Sequence, residues 1–355
     1  MKRKTVVASV FILLTTLLLA PRAAAAASCY RQSGVYVCDA RPSQPAFKAP
    51  GYRPGSIFFD RIYAWMEDYA PFYDSPGGKV VEEASAGILY YTIEETATDA
   101  AGNTWYRVDE RWAKAEDMHL YEESRYAGVE VQTQPERPFG WVLKQVQPSP
   151  APGAEPAADA PSIGRYTFVE IYDAAEGDEG WVWYDVGDGR WVQQTFLGLV
   201  NPSPRPEGVG PAEFWVEVDL YEQTVAAYEG ERMVYATLVS TGLPGWDTNE
   251  GLFTTYTHYR EWTMWGGEVG DDYYYLQDVP HTMFFDGEIA LHGAYWHDNF
   301  GYKQSHGCVN MPVRAAEWVF YWSEDAPNEE LWVWVHTSAP DALVSAFDAG
   351  PVAGG

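Results

Sequence analysis

The chemistry of this 355-residue chain concentrates in one stretch near its C-terminal end. Leu291-His292-Gly293 is followed by Tyr295 and His297, and then by Ser305-His306-Gly307-Cys308-Val309-Asn310, so three of the seven histidines surround one cysteine. A thiol near its free pKa of about 8.5 is only a few per cent thiolate at neutral pH, so nucleophilic work needs a base or cation beside it. An imidazole from another strand supplies one, forming a thiolate–imidazolium pair, and the loop from His292 to Cys308 is long enough to return beside its own start. Gly307 lets the backbone turn tightly, so that its N–H and that of Cys308 can meet a developing oxyanion. The plain alternative is a buried thiol packed as a small hydrophobe. His292, His297, His306 and Cys308 could also be read as zinc ligands, but a structural site favours shorter, paired spacings. No metal and no cofactor is expected, and His297 is assigned to the pocket rim.

These residues need a scaffold, and the preceding sequence alternates as strands do. Phe214–Leu220, Thr224–Tyr228 and Met233–Val239 form a meander of two hairpins, the first turning at Glu222-Gln223. Strands around Met283–Phe285 and Ile289–Leu291 lead into His292. After Pro312 the period becomes helical, with Val313, Ala316, Val319 and Phe320 on one face. Residues 259–280, with Trp262, Trp265, Tyr273, Tyr274 and Tyr275, exceed what a plain hairpin needs. They read either as a lid over the acyl site or as an aromatic plug completing the core.

The stretch from His292 to Asn310 resembles the signature of the L,D-transpeptidase catalytic domain, the YkuD-like family: His-Gly, a spacer, then Ser-His-Gly-Cys, an apolar residue and Asn or Arg. The resemblance covers about residues 213–337. Val239-Ser240-Thr241-Gly242 is similar to the family's Ser-Thr-Gly strand end, and Asp247–Phe253 to its Thr-Pro-x-Gly-x-Phe, with Asn249 where Pro is usual. It implies a β-sandwich with Cys308 as acyl-accepting nucleophile, His292 as base and the Gly293 carbonyl orienting the imidazole. His306 and Gly307 would shape the oxyanion loop. Ser305 and Asn310 would hold that loop and, with His297 and Tyr295, line the substrate side. The implied substrates are peptidoglycan stem peptides with a diamino acid at the third position. The acceptor stays open between a second stem peptide, a protein amine, a free D-amino acid and water.

The rest of the chain sets the compartment and the company. Lys2, Arg3 and Lys4 precede an apolar run from Val6 to Leu19, short of the roughly 20 residues a spanning helix needs. Ala23 to Ala27 offer small-residue cleavage sites, so residues 1–27 read as a secretory signal peptide. Small residues before Cys29 are the setting of a lipid anchor, but Ala26 stands where Leu is usual. In an oxidising compartment Cys29 and Cys38 suit a disulfide-closed hairpin, leaving Cys308 free. A net charge of −28 excludes nucleic acid and anionic membranes as partners, and aromatics at 16 % exclude disorder.

Trp105-Tyr106-Arg107-Val108 with Trp112 recurs as Trp183-Tyr184-Asp185-Val186 with Trp191, and Trp65 recurs as Trp141. This marks a duplicated all-β unit. Strands closed by Trp-Tyr-x-Val resemble bacterial SH3-like domains, whose aromatics would bind glycan strands or simply fill two small barrels. The expected chain is mainly β. A signal peptide (1–27) and a hairpin with linker (28–61) precede SH3-like barrels at 62–122 and 139–201. A catalytic sandwich with one short helix (213–337) and a tail (338–355) follow. It is read as a secreted L,D-transpeptidase that cross-links or remodels the wall. The alternatives are a carboxypeptidase or endopeptidase of the same bond, or an inactive wall-binding protein.

Overall fold

The computed structural model of the chain describes residues 29–32, 35–38, 47–53, 56, 61–327 and 330–339. Strands β1 (Cys29–Gln32) and β2 (Val35–Cys38) pair antiparallel, with Cys29 across from Cys38. Their side chains, and so the expected disulfide, lie outside the described residues, as do the signal peptide and residues 340–355.

Two small β units share one pairing scheme. In the first, β4 (Tyr63–Met66) lies between β7 (Ile88–Thr92) and β11 (Met118–Tyr121). A second layer runs β6 (Val80–Glu83), β5 (Pro71–Tyr73), β10 (Arg111–Lys114), β9 (Thr104–Val108), β8 (Glu95–Thr98). The second unit, which follows β12 (Val129–Val131), repeats this order. There β13 (Phe139–Val142) lies between β14 (Phe168–Glu170) and β18 (Leu197–Val200), while β16 (Val182–Asp185) lies between β15 (Asp173–Glu176) and β17 (Trp191–Gln193). The registers agree: Trp105 sits across from Ala97 and Lys114, and Trp183 from Ala175 and Gln193. A 3-10 turn precedes the last strand of each, at Ala115–Asp117 and Gln194–Phe196. Where the first unit has β5 and β6, the second has a long loop tied by Val146–Ile163 and Ser149–Trp191 bridges.

The C-terminal unit is a two-sheet sandwich. The meander forms as its alternation requires: β19 (Phe214–Asp219), β20 (Thr224–Glu229) and β21 (Arg232–Leu238). Next to β19, in parallel, runs β27 (Leu331–His336), with β22 (Gly251–Thr254) at the edge. The other sheet holds β23 (Thr257–Gly266), β24 (Tyr274–Asp286), β25 (Ile289–Gly293) and β26 (Val309–Met311). Helix α1 (Val313–Ser323) starts after Pro312 and buries Ala315, Ala316 and Val319 with Val216, Val218, Leu291 and Val309, while Val313 packs with Val279 and Tyr295. Burying such side chains contributes about 1.5–3 kcal/mol each.

The units are not beads on linkers, and two expectations are corrected here. The 28–61 segment is more than a linker: β3 (Phe47–Lys48) pairs with β12, which pairs with β21, extending the catalytic sheet. Pro50 then accepts a hydrogen bond from Arg314 of α1 at 2.6 Å. The 259–280 segment is more than a core plug: Trp265 is 64 % exposed, while Tyr273, Tyr274 and Tyr275 pack against core clusters. It is the β23–β24 hairpin, and β24 continues the first unit's sheet by pairing in parallel with β7. Gly87 leads into that ladder, where a Cβ would stand 2.3 Å from the Tyr273 carbonyl oxygen.

Candidate active site

Parallel pairing of β25 with β26 sets Leu291 beside Val309, His292 beside Asn310 and Gly293 beside Met311. Leu291 and Val309 enter the sandwich core, so alternation turns His292 and Asn310 to the other face. Cys308 immediately precedes β26 and so flanks the strand carrying His292. Continued by one residue, that register sets Cys308 beside Ala290, two residues before His292 on the neighbouring strand.

His292 is buried, and its Nδ1 lies 3.3 Å from the Gly293 carbonyl oxygen. A carbonyl only accepts, so Nδ1 carries the hydrogen and Nε2 holds the lone pair a base needs. Trp296 stacks on the ring at 5.6 Å. Burial pulls the imidazole down to about 4, against the raising influence of Gly293. The Cys308 thiol donates weakly to the Glu288 carbonyl at 3.7 Å. Burial pushes it up to about 11; the Ala290 N–H works the other way, and Glu288 adds to the rise. Desolvation works against the charged form of each group, lowering the imidazole and raising the thiol.

The loop before Cys308 is pinned from three sides. Ser305 donates through Oγ to the Cys308 carbonyl at 2.5 Å, and its own N–H donates to Thr241 at 3.0 Å. The Gly307 N–H donates to Ser305 Oγ at 3.2 Å. What requires glycine at this position is its φ of +115°. Thr248 was noticed only as part of a resembling run, yet its Oγ1 donates to the Gly307 carbonyl at 2.7 Å and accepts from the Gly242 N–H at 3.0 Å. Gln223 holds the strand end behind it, donating to Thr241 Oγ1 at 2.6 Å and accepting from the Thr241 N–H at 2.8 Å. Nothing in the spacing of Gln223 signals this role.

Two residues assigned to the substrate side lie elsewhere. His297 is 6 % exposed rather than at a rim. Its Nδ1 lies 3.2 Å from the Asn299 backbone nitrogen and its Nε2 lies 2.9 Å from the Asn310 amide nitrogen. Burial, then neighbouring His292, pulls His297 down to about 3. It fastens β26 beside β25. Tyr295 is fully buried, stacked on Tyr63 at 3.6 Å with its hydroxyl on the Gln277 carbonyl at 2.6 Å. It belongs to the seam with the first β unit.

His306 does lie at the mouth, edge-on to Trp246 at 4.6 Å and against Tyr274 at 5.2 Å. Asp272, at the β23–β24 tip, is 3.9 Å from its Nε2. Burial and then the Cys308 sulfur push the Tyr274 phenol up to about 12, so this strand forms one wall beside the nucleophile. Among the described residues no three His, Cys, Asp or Glu side chains converge as a metal-binding group.

Comparison with known proteins places this geometry. Residues 213–335 match the family described as the L,D-transpeptidase catalytic domain, YkuD. A protein of Bacillus subtilis (strain 168) named putative L,D-transpeptidase YciB is 27 % identical over 151 residues, which are 38 % of this chain and 75 % of that one. Among solved structures, an Enterococcus faecium L,D-transpeptidase is 22 % identical at a TM-score of 0.31, over 35 % of this chain and 50 % of that one. An L,D-transpeptidase from Mycobacterium smegmatis is 18 % identical at a TM-score of 0.32, over 75 % and 100 %.

Proposed function

We propose, from the premise that residues 213–335 are an L,D-transpeptidase catalytic domain, that this chain is an exported enzyme remodelling peptidoglycan through an acyl-enzyme on Cys308. The observation that carries the reading is the oriented imidazole: His292, held at Nδ1 by Gly293, keeps Nε2 free on the strand next to the one free cysteine among the described residues.

The steps follow from that arrangement. Sulfur attacks the carbonyl carbon of the stem peptide's diamino acid while His292 Nε2 takes the thiol proton. The tetrahedral intermediate collapses, the bond to the following D-residue breaks, and the leaving amine collects the proton from His292. An acceptor amine then attacks the thioester, gives its proton to Nε2 and restores the thiol. The Cys308 N–H remains as a donor at the oxyanion position, with Ser305 and Thr248 fixing the loop that presents it.

Export is read from the basic and apolar N-terminal residues, and no helix among the described residues is long and apolar enough to cross a membrane. The two small units are read as SH3-like modules. Their common strand pairing and the 3-10 turn before each last strand support that reading.

The deciding experiment incubates the protein with disaccharide-tetrapeptide and identifies products by mass. Cross-linked dimers and a thioester on Cys308 are expected, and both should vanish in Cys308→Ser. Substantial turnover by that variant would sink the covalent mechanism.

A further inference from the structure

One cleft of the described residues does not have Cys308 among its lining side chains. It has a volume of about 450 Å³ and lies between the second β unit and the catalytic sandwich. That size suits a ligand rather than a few waters. One wall is aromatic and apolar, from Trp181, Tyr184, Leu197 and Leu199; the facing wall is the β19–β20 turn with Leu220, Tyr221 and Glu222. Its charges are unbalanced. Asp247, Glu222 and Glu250 line it, against Lys303 as the single cation among its lining residues.

We propose that this cleft binds an extended peptide carrying a free side-chain ammonium, seated at Glu222 between the aromatic rings, with small apolar residues along the leucine wall. Three observations select this ligand. The acidic excess calls for a cation. Tyrosine and tryptophan faces attract ammonium groups electrostatically. One Glu222 oxygen is committed to the Leu199 N–H at 2.9 Å, which fixes the carboxyl at the seam. Burial, and secondarily Asp219, push that carboxyl up to about 8 in the empty cleft. A bound ammonium would offset both causes, so the cleft is an unfinished ion-pair site. Its floor reaches the chemistry, because Thr248 lines the cleft and also holds the Gly307 carbonyl at 2.7 Å.

The probe is the stem tetrapeptide with lysine at its third position, compared with its Nε-acetyl form. Choosing this peptide rests on the proposed function; the charge and shape of the site do not. Full-length protein is first alkylated at Cys308 with iodoacetamide, so that the acyl site is blocked, and binding is followed by calorimetry. One site per chain is expected, weakened at least ~10-fold by Nε-acetylation and by Glu222→Gln, in keeping with the loss of a charge-assisted hydrogen bond. Glutamine can still accept from Leu199, so the fold should persist. Trp181→Ala provides a second variant and should also weaken binding. No binding to the blocked protein, equal affinity for the acetylated peptide, or affinity unchanged in both variants would each overturn the proposal. Failure of the tetrapeptide to acylate wild-type Cys308 would instead count against the proposed function and leave this site standing.

Discussion

The two β units repeat one strand order but join the catalytic sandwich in different ways. The first joins edge to edge: β7 continues the sheet through a parallel ladder to β24, with Ile88, Leu89 and Tyr90 beside Tyr274, Tyr275 and Leu276. Across it, Tyr63 stacks on Tyr295, Thr92 N–H donates to Gln277 at 3.0 Å, and Arg61 pairs with Glu261 at 2.8 Å. The second joins face to face. Phe139, Trp141 and Val200 pack with Trp215, Tyr228 and Leu238 on the outer face of the meander. A ladder transmits position residue by residue, whereas a packed face tolerates small slides. The first unit is therefore built into the wall that carries Asp272 and Tyr274, while the second covers the opposite side and leaves a cleft at its end.

The largest expected effects test that division. Tyr295→Ala and Trp141→Ala should each cost roughly 3–5 kcal/mol, as buried aromatic truncations do, read from urea unfolding. Their activities should part. Tyr295→Ala loosens the seam behind the β23–β24 tip and should lower kcat strongly even where the protein remains folded; Trp141→Ala should stay near wild type under the same conditions. Equal losses of kcat would erase the distinction between the seams.

Next comes pH, to which the second seam responds through a buried acid at the joint. Glu222 has its folded pKa raised to about 8, above an unfolded value near 4.5. The folded state thus binds more protons than the unfolded chain between those values, and stability falls as pH rises through that window. Glu222→Gln should remove a penalty of roughly 2–4 kcal/mol at pH 9 and change little at pH 4. Melting temperatures of both proteins across that range decide it. A gain at pH 4 as large as at pH 9 would place the cause elsewhere.

A smaller effect is expected at Thr248, which belongs to the second seam's cleft and to the nucleophile loop at once. Thr248→Val keeps the shape and removes the bonds to the Gly307 carbonyl and the Gly242 N–H, so kcat should fall about 10-fold with KM unchanged, equivalent to about 1.4 kcal/mol. Thr248→Ser, which retains the oxygen, should restore it. A loss of KM alone would make Thr248 a ligand contact rather than a positioning residue.

The sequence revealed chemistry and local pattern far better than it revealed neighbours. Cys308, His292 and Gly293 stood out as a candidate site because nucleophile chemistry demands those types, and the three meander strands were legible because alternation is a local property. Tyr295 was misread because its partners, Tyr63 and Tyr90, come from another unit and leave no trace in the spacing around it. The β7–β24 ladder was missed for the same reason. Glu222 looked like a turn residue, which it is, while its burial depends on Leu199 arriving from the second unit.

The smallest effect concerns the place where the two units differ. The first closes its outer layer with the β5–β6 ladder, Pro71 across from Glu83 and Phe72 across from Glu82. The second has instead the loop between the Val146–Ile163 bridge and its surroundings, with Ala154 to Ala151 at 3.1 Å and Ala160 to Ala157 at 2.9 Å as its local backbone bonds. Those turns close on themselves and carry no core side chain, so the unit should fold as well without them. Replacing residues 152–159 by Gly-Ser shortens the loop while leaving both bridges. Each halving of a flexible loop changes closure entropy by only about 0.6 kcal/mol, in the stabilising direction. Unfolding free energy should therefore move by less than about 1 kcal/mol, with the affinity of the cleft unchanged. Removing Val80–Glu83 from the first unit should cost more, because β5 then loses its outer partner beside the aromatic cluster of Phe72 and Tyr91. If the loop replacement proved the more damaging of the two, the loop would be a structural counterpart of β5–β6, and the outer layers of the two units would be alike after all.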